Sequence, residues 1–126
     1  IYNLPHIYGL VKKNRRNAKM LDEGLKDIKD VQLLKPNPKC NSAYWLYTIR
    51  VLNGKKQEFM DKVKEANIMT SQVHNRNDIN SCVKEFEEIL PNIDIIEKEL
   101  VCIPVGWWLE EKDMEYIIKT IVEILK

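Results

Sequence analysis

Along the first quarter of the chain the apolar residues Ile7, Leu10, Val11, Ala18, Leu21, Leu25 and Ile28 recur at steps of three and four. That period lines one face of an α-helix. A long amphipathic helix is therefore predicted from Pro5 to Ile28, with Pro5 in the first turn, where its missing N–H has no intrahelical partner to lose. Val31–Leu34 predicts a short strand, after which Pro36 and Pro38 remove backbone donors and keep the path through Ser42 extended or turning. From Tyr44 to Leu52 aromatic and β-branched residues predict a strand, and alternation puts Trp45, Tyr47, Ile49 and Val51 on its core-facing side. Tyr44, Thr48 and Arg50 fall on the other side, a partly covered sheet face in the simpler reading and a ligand surface in the other.

Asn53-Gly54 marks a turn. Phe59, Met60, Val63 and Ala66 then predict a second amphipathic helix, with Glu58 four residues ahead of Lys62. Ile68–Val73 reads as a strand ending in the polar run His74–Asp78. Val83, Phe86, Ile89 and Leu90 form a short apolar-periodic stretch closed by Pro91. Asn92 is expected to cap a short helix through Glu99, and Val101–Val105 to form a strand that Pro104 assigns to a sheet edge. Met114, Ile117, Ile118, Ile121 and Leu125 keep the apolar stripe of a last helix, with Glu115, Lys119 and Glu123 on its outside. This order predicts an α+β fold: a three- to four-stranded, mainly antiparallel sheet with helices packed mostly on one face.

Composition narrows the picture by exclusion. A chain of 126 residues suits one domain, residues 1–126. Twenty Lys and Arg against 19 Asp and Glu leave a formal charge of +1, too little positive potential for general nucleic-acid binding. Charged residues make up 31% of the chain and no apolar run approaches a membrane span, so no membrane partner is expected. Cys40, Cys82 and Cys102 form no C-x-x-C pair and are odd in number, which favours a reducing compartment and a cytoplasmic location. The start Ile1-Tyr2-Asn3 has neither an initiator Met nor the layout of a secretory signal and fits a cut through something longer.

Candidate chemistry is sparse. His6 and His74 lack metal-site spacing. An autonomous catalytic pair of His74 and Cys82 has nothing in the sequence to bring it together. Gly9, Gly24, Gly54 and Gly106 are scattered, so no phosphate-cradling loop is present. Lys12, Lys13, Arg15 and Arg16 are more simply a solvated helix face than an anion site. Two segments stand out. Ser71-Gln72-Val73-His74-Asn75-Arg76-Asn77-Asp78 crowds hydrogen-bonding groups at a predicted strand end, suited to a polar ligand or to a solvated loop. Ile103-Pro104-Val105-Gly106-Trp107-Trp108 presents adjacent indoles, packed in the core in the favoured reading or turned toward another surface.

Taken with Arg15-Arg16-Asn17-Ala18, Tyr44-Trp45-Leu46-Tyr47-Thr48-Ile49-Arg50-Val51 and Pro91-Asn92-Ile93-Asp94, these segments resemble, from end to end, the C-terminal part of the DegT/DnrJ/EryC1/StrS sugar aminotransferases. Glu110 departs from the resemblance, since the family often caps its last helix with a hydroxyl residue. The resemblance implies the small domain of a fold-type-I, perosamine synthetase-like enzyme. Such an enzyme uses pyridoxal phosphate (PLP) to move an amino group, usually from glutamate, onto a nucleotide-linked keto-sugar. The family's Schiff-base lysine, the acid facing the pyridine nitrogen and the phosphate-holding residues belong to a larger N-terminal domain. No catalytic or cofactor-binding residue is therefore expected in this chain, PLP is implied for the full-length enzyme alone, and the isolated chain is expected to be inactive. The resemblance also implies dimer contacts and a nucleotide-sugar site at His74, Asn75 and Arg76, with Arg76 on a phosphate and His74 on a sugar hydroxyl. The alternative is a free-standing, non-catalytic binding or interaction module of the same fold.

Overall fold

The computed structural model describes residues 4–72 and 75–126. A 3₁₀ turn, Leu4–His6, leads into α1, Ile7–Leu25, followed by β1, Val31–Leu33, β2, Tyr47–Val51, and α2, Lys56–Glu65. A second 3₁₀ turn, Ser81–Phe86, precedes α3, Pro91–Glu97, β3, Leu100–Ile103, and α4, Glu111–Leu125. The strands form one antiparallel sheet in the order β1-β2-β3, with Leu33 opposite Ile49, Ile49 opposite Val101 and Tyr47 opposite Ile103.

Side-chain alternation decides which sheet face is covered. Tyr47, Ile49 and Val51 are buried while Thr48 and Arg50 between them are half-buried, and register brings Val101 and Ile103 beside the buried set. Against them pack Ala18, Leu21 and Leu25 of α1, Phe59 and Val63 of α2, and Met114, Ile117, Ile121 and Leu125 of α4. The architecture is the α+β sheet with helices on one face that the periodicities predict. The expected fourth strand is reduced to a bridge: Ser71 N–H donates to Cys102 O at 3.3 Å and Cys102 N–H to Ser71 O at 2.8 Å. Val73, its expected last residue, lies outside the described residues.

Four expectations are corrected. Trp45 is not on the core face of β2: the strand begins at Tyr47 and Trp45 is 75% exposed. The cause is local, because the Ser42 hydroxyl accepts the Tyr44 N–H at 3.0 Å and Tyr44 adopts a positive φ of 48°, which breaks the alternation two residues early. Asn92 is not a cap, since Leu90 holds the N-cap position of α3 and Pro91 is its first helical residue. Val83–Leu90 forms no core-facing element, because its 3₁₀ turn buries nothing. The first helix ends at Leu25, short of Ile28.

The end of α2 shows how backbone chemistry places a core residue. Asn67 takes φ 59°, its N–H donates to Lys64 O at 2.9 Å, and Ile68 N–H reaches back to Val63 O at 3.0 Å. This closes the orphan carbonyls of the last turn as a Schellman motif. The motif turns Ile68 inward, where both it and Val63 are buried.

Candidate functional site

The polar run lies beyond the Ser71–Cys102 bridge, at the outer edge of β3. Gln72 Oε1 accepts from Lys56 Nζ of α2, and the same amine donates to Glu97 O, at the end of α3, at 2.6 Å. Partial burial strips water from that ammonium and pushes its pKa below the ordinary lysine value, against the pull of Glu97. His74, the expected sugar contact, lies outside the described residues. Asn75 is exposed and borders a cavity of about 420 Å³, shared with Arg76, Asp78, Ile93, Ile96 and Glu97.

Arg76 is not a free cation. Its Nε donates to Asp78 Oδ1 at 2.9 Å and its Nη2 to Asp78 Oδ2, a two-pronged pair, while Nη1 donates to Asp94 Oδ1 of α3 and lies 3.9 Å from Glu97 Oε2. The Arg76 side chain is 14% exposed. Asp78, then Asp94, raise the arginine's already high pKa, and the guanidinium in turn holds the Asp78 carboxyl below the usual range. One cation among three carboxylates leaves a local negative excess, so a phosphate would have to displace a carboxylate to reach it. Cys82 is exposed on the 3₁₀ turn, and His74, the other member of the pair the sequence does not favour, lies outside the described residues.

At the other end of β3 a second cavity, about 590 Å³, is bordered by Leu46, Met69, Cys102, Trp108, Leu109 and Tyr116. Trp107 and Trp108 meet edge to face at 5.8 Å and 82° and are 44% and 64% exposed. The favoured expectation that both indoles pack in the core is thus corrected. Gly106 is required by this arrangement: a Cβ there would lie 2.2 Å from the Trp108 ring. Cys102 is buried, with its Sγ 3.6 Å from Thr48 Oγ1.

The middle of α1 ties both loops at this end to the helix. Arg15 donates to the carbonyls of Ser42 and Asn41, and Asn14 to those of Ala43 and Tyr44. Arg16 donates to Asn17 Oδ1 and Leu109 O. Asn17, with no solvent exposure, donates its amide to Val105 O and Gly106 O. Lys12, Lys13 and Arg16 are exposed, as the solvated-face reading expects, and Arg15, half-buried, and Arg16 also anchor the two loops. Asn17 was legible in principle as the polar residue sharing a stripe with Leu10, Leu21 and Leu25. Glu110 holds the N-cap position of α4, and Asp113 Oδ2 accepts its N–H at 2.9 Å, so the helix start is closed without a hydroxyl cap.

PLP needs a lysine amine and a phosphate cradle; neither the cavity beside Arg76 nor the one beside Trp108 is bordered by a lysine, and Arg76 is already paired with carboxylates, so these two cavities do not fit the cofactor. Among the described residues no group of His, Cys, Asp and Glu is placed to hold a metal, and no helix is long and apolar enough to cross a membrane.

A three-stranded antiparallel sheet under three helices is a fold shared with sugar aminotransferases of known structure. The chain belongs to the DegT/DnrJ/EryC1/StrS aminotransferase family, which it matches over residues 1–122. It is similar to the sugar aminotransferase CalS13 of Micromonospora echinospora, at 35% identity and a TM-score of 0.90 over 96% of this chain and 32% of that one. It is also similar to AtS13 of Actinomadura melliaura, at 32% identity and a TM-score of 0.90 over 96% and 32% of the two chains. The fold is shared with the aminotransferase TlmJ of Streptoalloteichus hindustanus, at 21% identity and a TM-score of 0.92 over 98% of this chain and 34% of that one. The chain thus spans about a third of the length of these structures. No curated protein matches it.

Proposed function

We propose that the chain is the small, C-terminal domain of a PLP-dependent nucleotide-sugar aminotransferase, closing the substrate cleft against a larger cofactor-bearing domain. One observation carries this reading: 96% of the chain aligns with a sugar aminotransferase, yet only 32% of that enzyme is accounted for. The full-length enzyme moves an amino group from glutamate to a keto-sugar linked to a nucleotide, and works in the cytoplasm as a homodimer. Asn75, and His74 before it, supply polar contacts to the sugar or nucleotide; Arg76 does so only by giving up a carboxylate.

The exposed apolar residues support a domain seam. Leu4, in the turn ahead of α1, Tyr8 near its start, Trp45, Trp107 and Trp108 all keep large exposed areas, and large exposed apolar side chains mark interaction surfaces. Joined to its larger domain, the protein covers them. Without that domain the chain does not transaminate, because the cofactor's lysine and phosphate cradle belong to it.

The test has two arms. Titrating the purified chain with PLP is expected to give no saturable absorption change that a single lysine substitution abolishes; such a site would overturn the reading. Fusing the chain behind the large domain of CalS13 is expected to restore transamination of a nucleotide keto-sugar. The Trp107–Trp108 pair also favours a second reading, a free-standing interaction module, which a reading frame without a large-domain sequence ahead of Ile1 would establish.

A further inference from the structure

The chain leaves β2 through a four-residue turn, residues 52–55, closed by the Lys55 N–H donating to Leu52 O at 3.2 Å. Its central residues, Asn53 and Gly54, both have positive φ, 59° and 70°. That pairing is the backbone of a type I′ turn, which favours Asn followed by Gly. The same dipeptide carries a chemical liability. Glycine has no side chain to shield its amide nitrogen, so that nitrogen can reach the carboxamide carbon of the asparagine before it. No other asparagine in the chain precedes a glycine, and the Gly54 N–H has no partner among the described residues.

The asparagine side chain, in contrast, is held. Asp30, just ahead of β1, accepts the Leu52 N–H on its carbonyl at 2.9 Å. Its carboxylate accepts Asn53 Nδ2 on Oδ1 at 2.7 Å and Lys55 Nζ on Oδ2 at 2.5 Å. Lys55 first, and Asn53 second, hold the Asp30 carboxyl below the usual range, so near neutrality it is ionised and accepts from both. The Asn53 amide is thereby kept turned toward Asp30, and cyclisation has to break that bond. The network is complete within residues 30–55 and does not depend on the aminotransferase reading.

We propose that Asn53 is a self-deamidation site restrained by Asp30, and that its conversion unfastens the turn between β2 and α2. The Gly54 nitrogen gives up its proton to hydroxide from solvent and bonds to Asn53 Cγ. The Cγ–Nδ2 bond breaks, and the departing nitrogen takes a proton from water and leaves as ammonia. Water then opens the cyclic imide at either carbonyl, giving aspartate or isoaspartate, with no oxidant or reductant involved. A donor facing Asp30 has become a carboxylate, so two like charges meet where a charge-assisted hydrogen bond stood and compete for Lys55. The isoaspartyl product also lengthens the main chain by one carbon, which the tight turn does not accommodate. Because α2 begins at Lys56, which holds both Gln72 and the Glu97 carbonyl, the loosening reaches the base of the polar run.

Peptide mass spectrometry on the full chain, sampled during incubation in warm, mildly alkaline buffer, tests it. Asn53 is expected to convert before any other asparagine. Asp30→Ser is expected to speed that conversion about tenfold through loss of the charge-assisted hydrogen bond. Lys55→Ala, which leaves the bond in place, is expected to stay within about twofold. Asn53→Asp, a mimic of the product, is expected to lower the melting temperature, and adding Asp30→Asn, which returns a donor to the pair, to restore most of it. Another asparagine converting first, or an unchanged rate at residue 53 in Asp30→Ser, would overturn the proposal. So would an Asp30→Ser chain that does not fold, since Asp30 would then hold the fold rather than the turn, and an Asn53→Asp chain that melts with the unaltered one.

Discussion

The side-chain amide of Asn17, sealed from solvent inside α1, donates to the Gly106 carbonyl at 3.0 Å and to the Val105 carbonyl at 3.3 Å. One helical residue thereby fixes the loop that carries both exposed indoles. Replacing it with Ala leaves buried carbonyls without these donors and leaves the Arg16 guanidinium only its bond to Leu109 O. Asn17→Ala is expected to cost about 2–4 kcal/mol in urea unfolding. Trp fluorescence should shift as the Trp107–Trp108 loop loosens, and an unchanged midpoint would rule out this brace.

The placement of Trp45 reverses an expectation from alternation. At 75% exposure it contributes little, and Trp45→Ala is expected to change stability by no more than about 0.5 kcal/mol. Phe59, 1% exposed beneath the sheet, is the contrasting case: Phe59→Ala is expected to cost about 3–5 kcal/mol. Thermal melts of the two variants side by side decide the matter, and a large loss for Trp45→Ala would put that ring back in the core.

Tyr47 joins β2 to α1 by donating its hydroxyl to Asp22 Oδ1 at 2.7 Å. Burial first, and the Asp22 carboxylate second, raise its pKa far above the ordinary 10.0. A raised folded-state value means the native chain keeps a proton that the unfolded chain gives up, so this contribution is complete below pH 10.0 and shrinks as pH climbs above it. Tyr47→Phe is expected to lose about 1–2 kcal/mol near neutrality. It should also show a shallower alkaline decline than the unaltered chain, and parallel curves from pH 9 to 11 would refute the assignment.

Gly24 sits where α1 crosses α4, and a Cβ there would come within 2.4 Å of Ile118 Cγ2. Alanine gains about 1 kcal/mol in helix propensity, but overpacking a helix contact costs about 1–3 kcal/mol. Gly24→Ala is therefore expected to be net destabilising. Pairing it with Ile118→Val, which trims the crossing, should recover part of the loss, and a gain in melting temperature from Gly24→Ala alone would show that the crossing is loose.

The covered sheet face and the helices over it could be read from the chain, because apolar period is a local property that survives folding. Tyr47, Ile49 and Val51 alternate, and Met114, Ile117, Ile121 and Leu125 step by helical turns, so each had to face a core. The family was equally legible, since its short segments stand in order along the chain. The partners of the charged side chains, by contrast, came from the three-dimensional packing. Arg15 and Arg16 found loop carbonyls 26 to 93 residues away, and Arg76 found Asp94 across a turn. A long flexible cation can pair with whatever the fold brings within reach, and nothing in its neighbours along the chain names that partner. Trp45 and Asn92 were misplaced for a related reason: one hydroxyl at Ser42 and one ring at Pro91 reset the local backbone and overrode the pattern on either side.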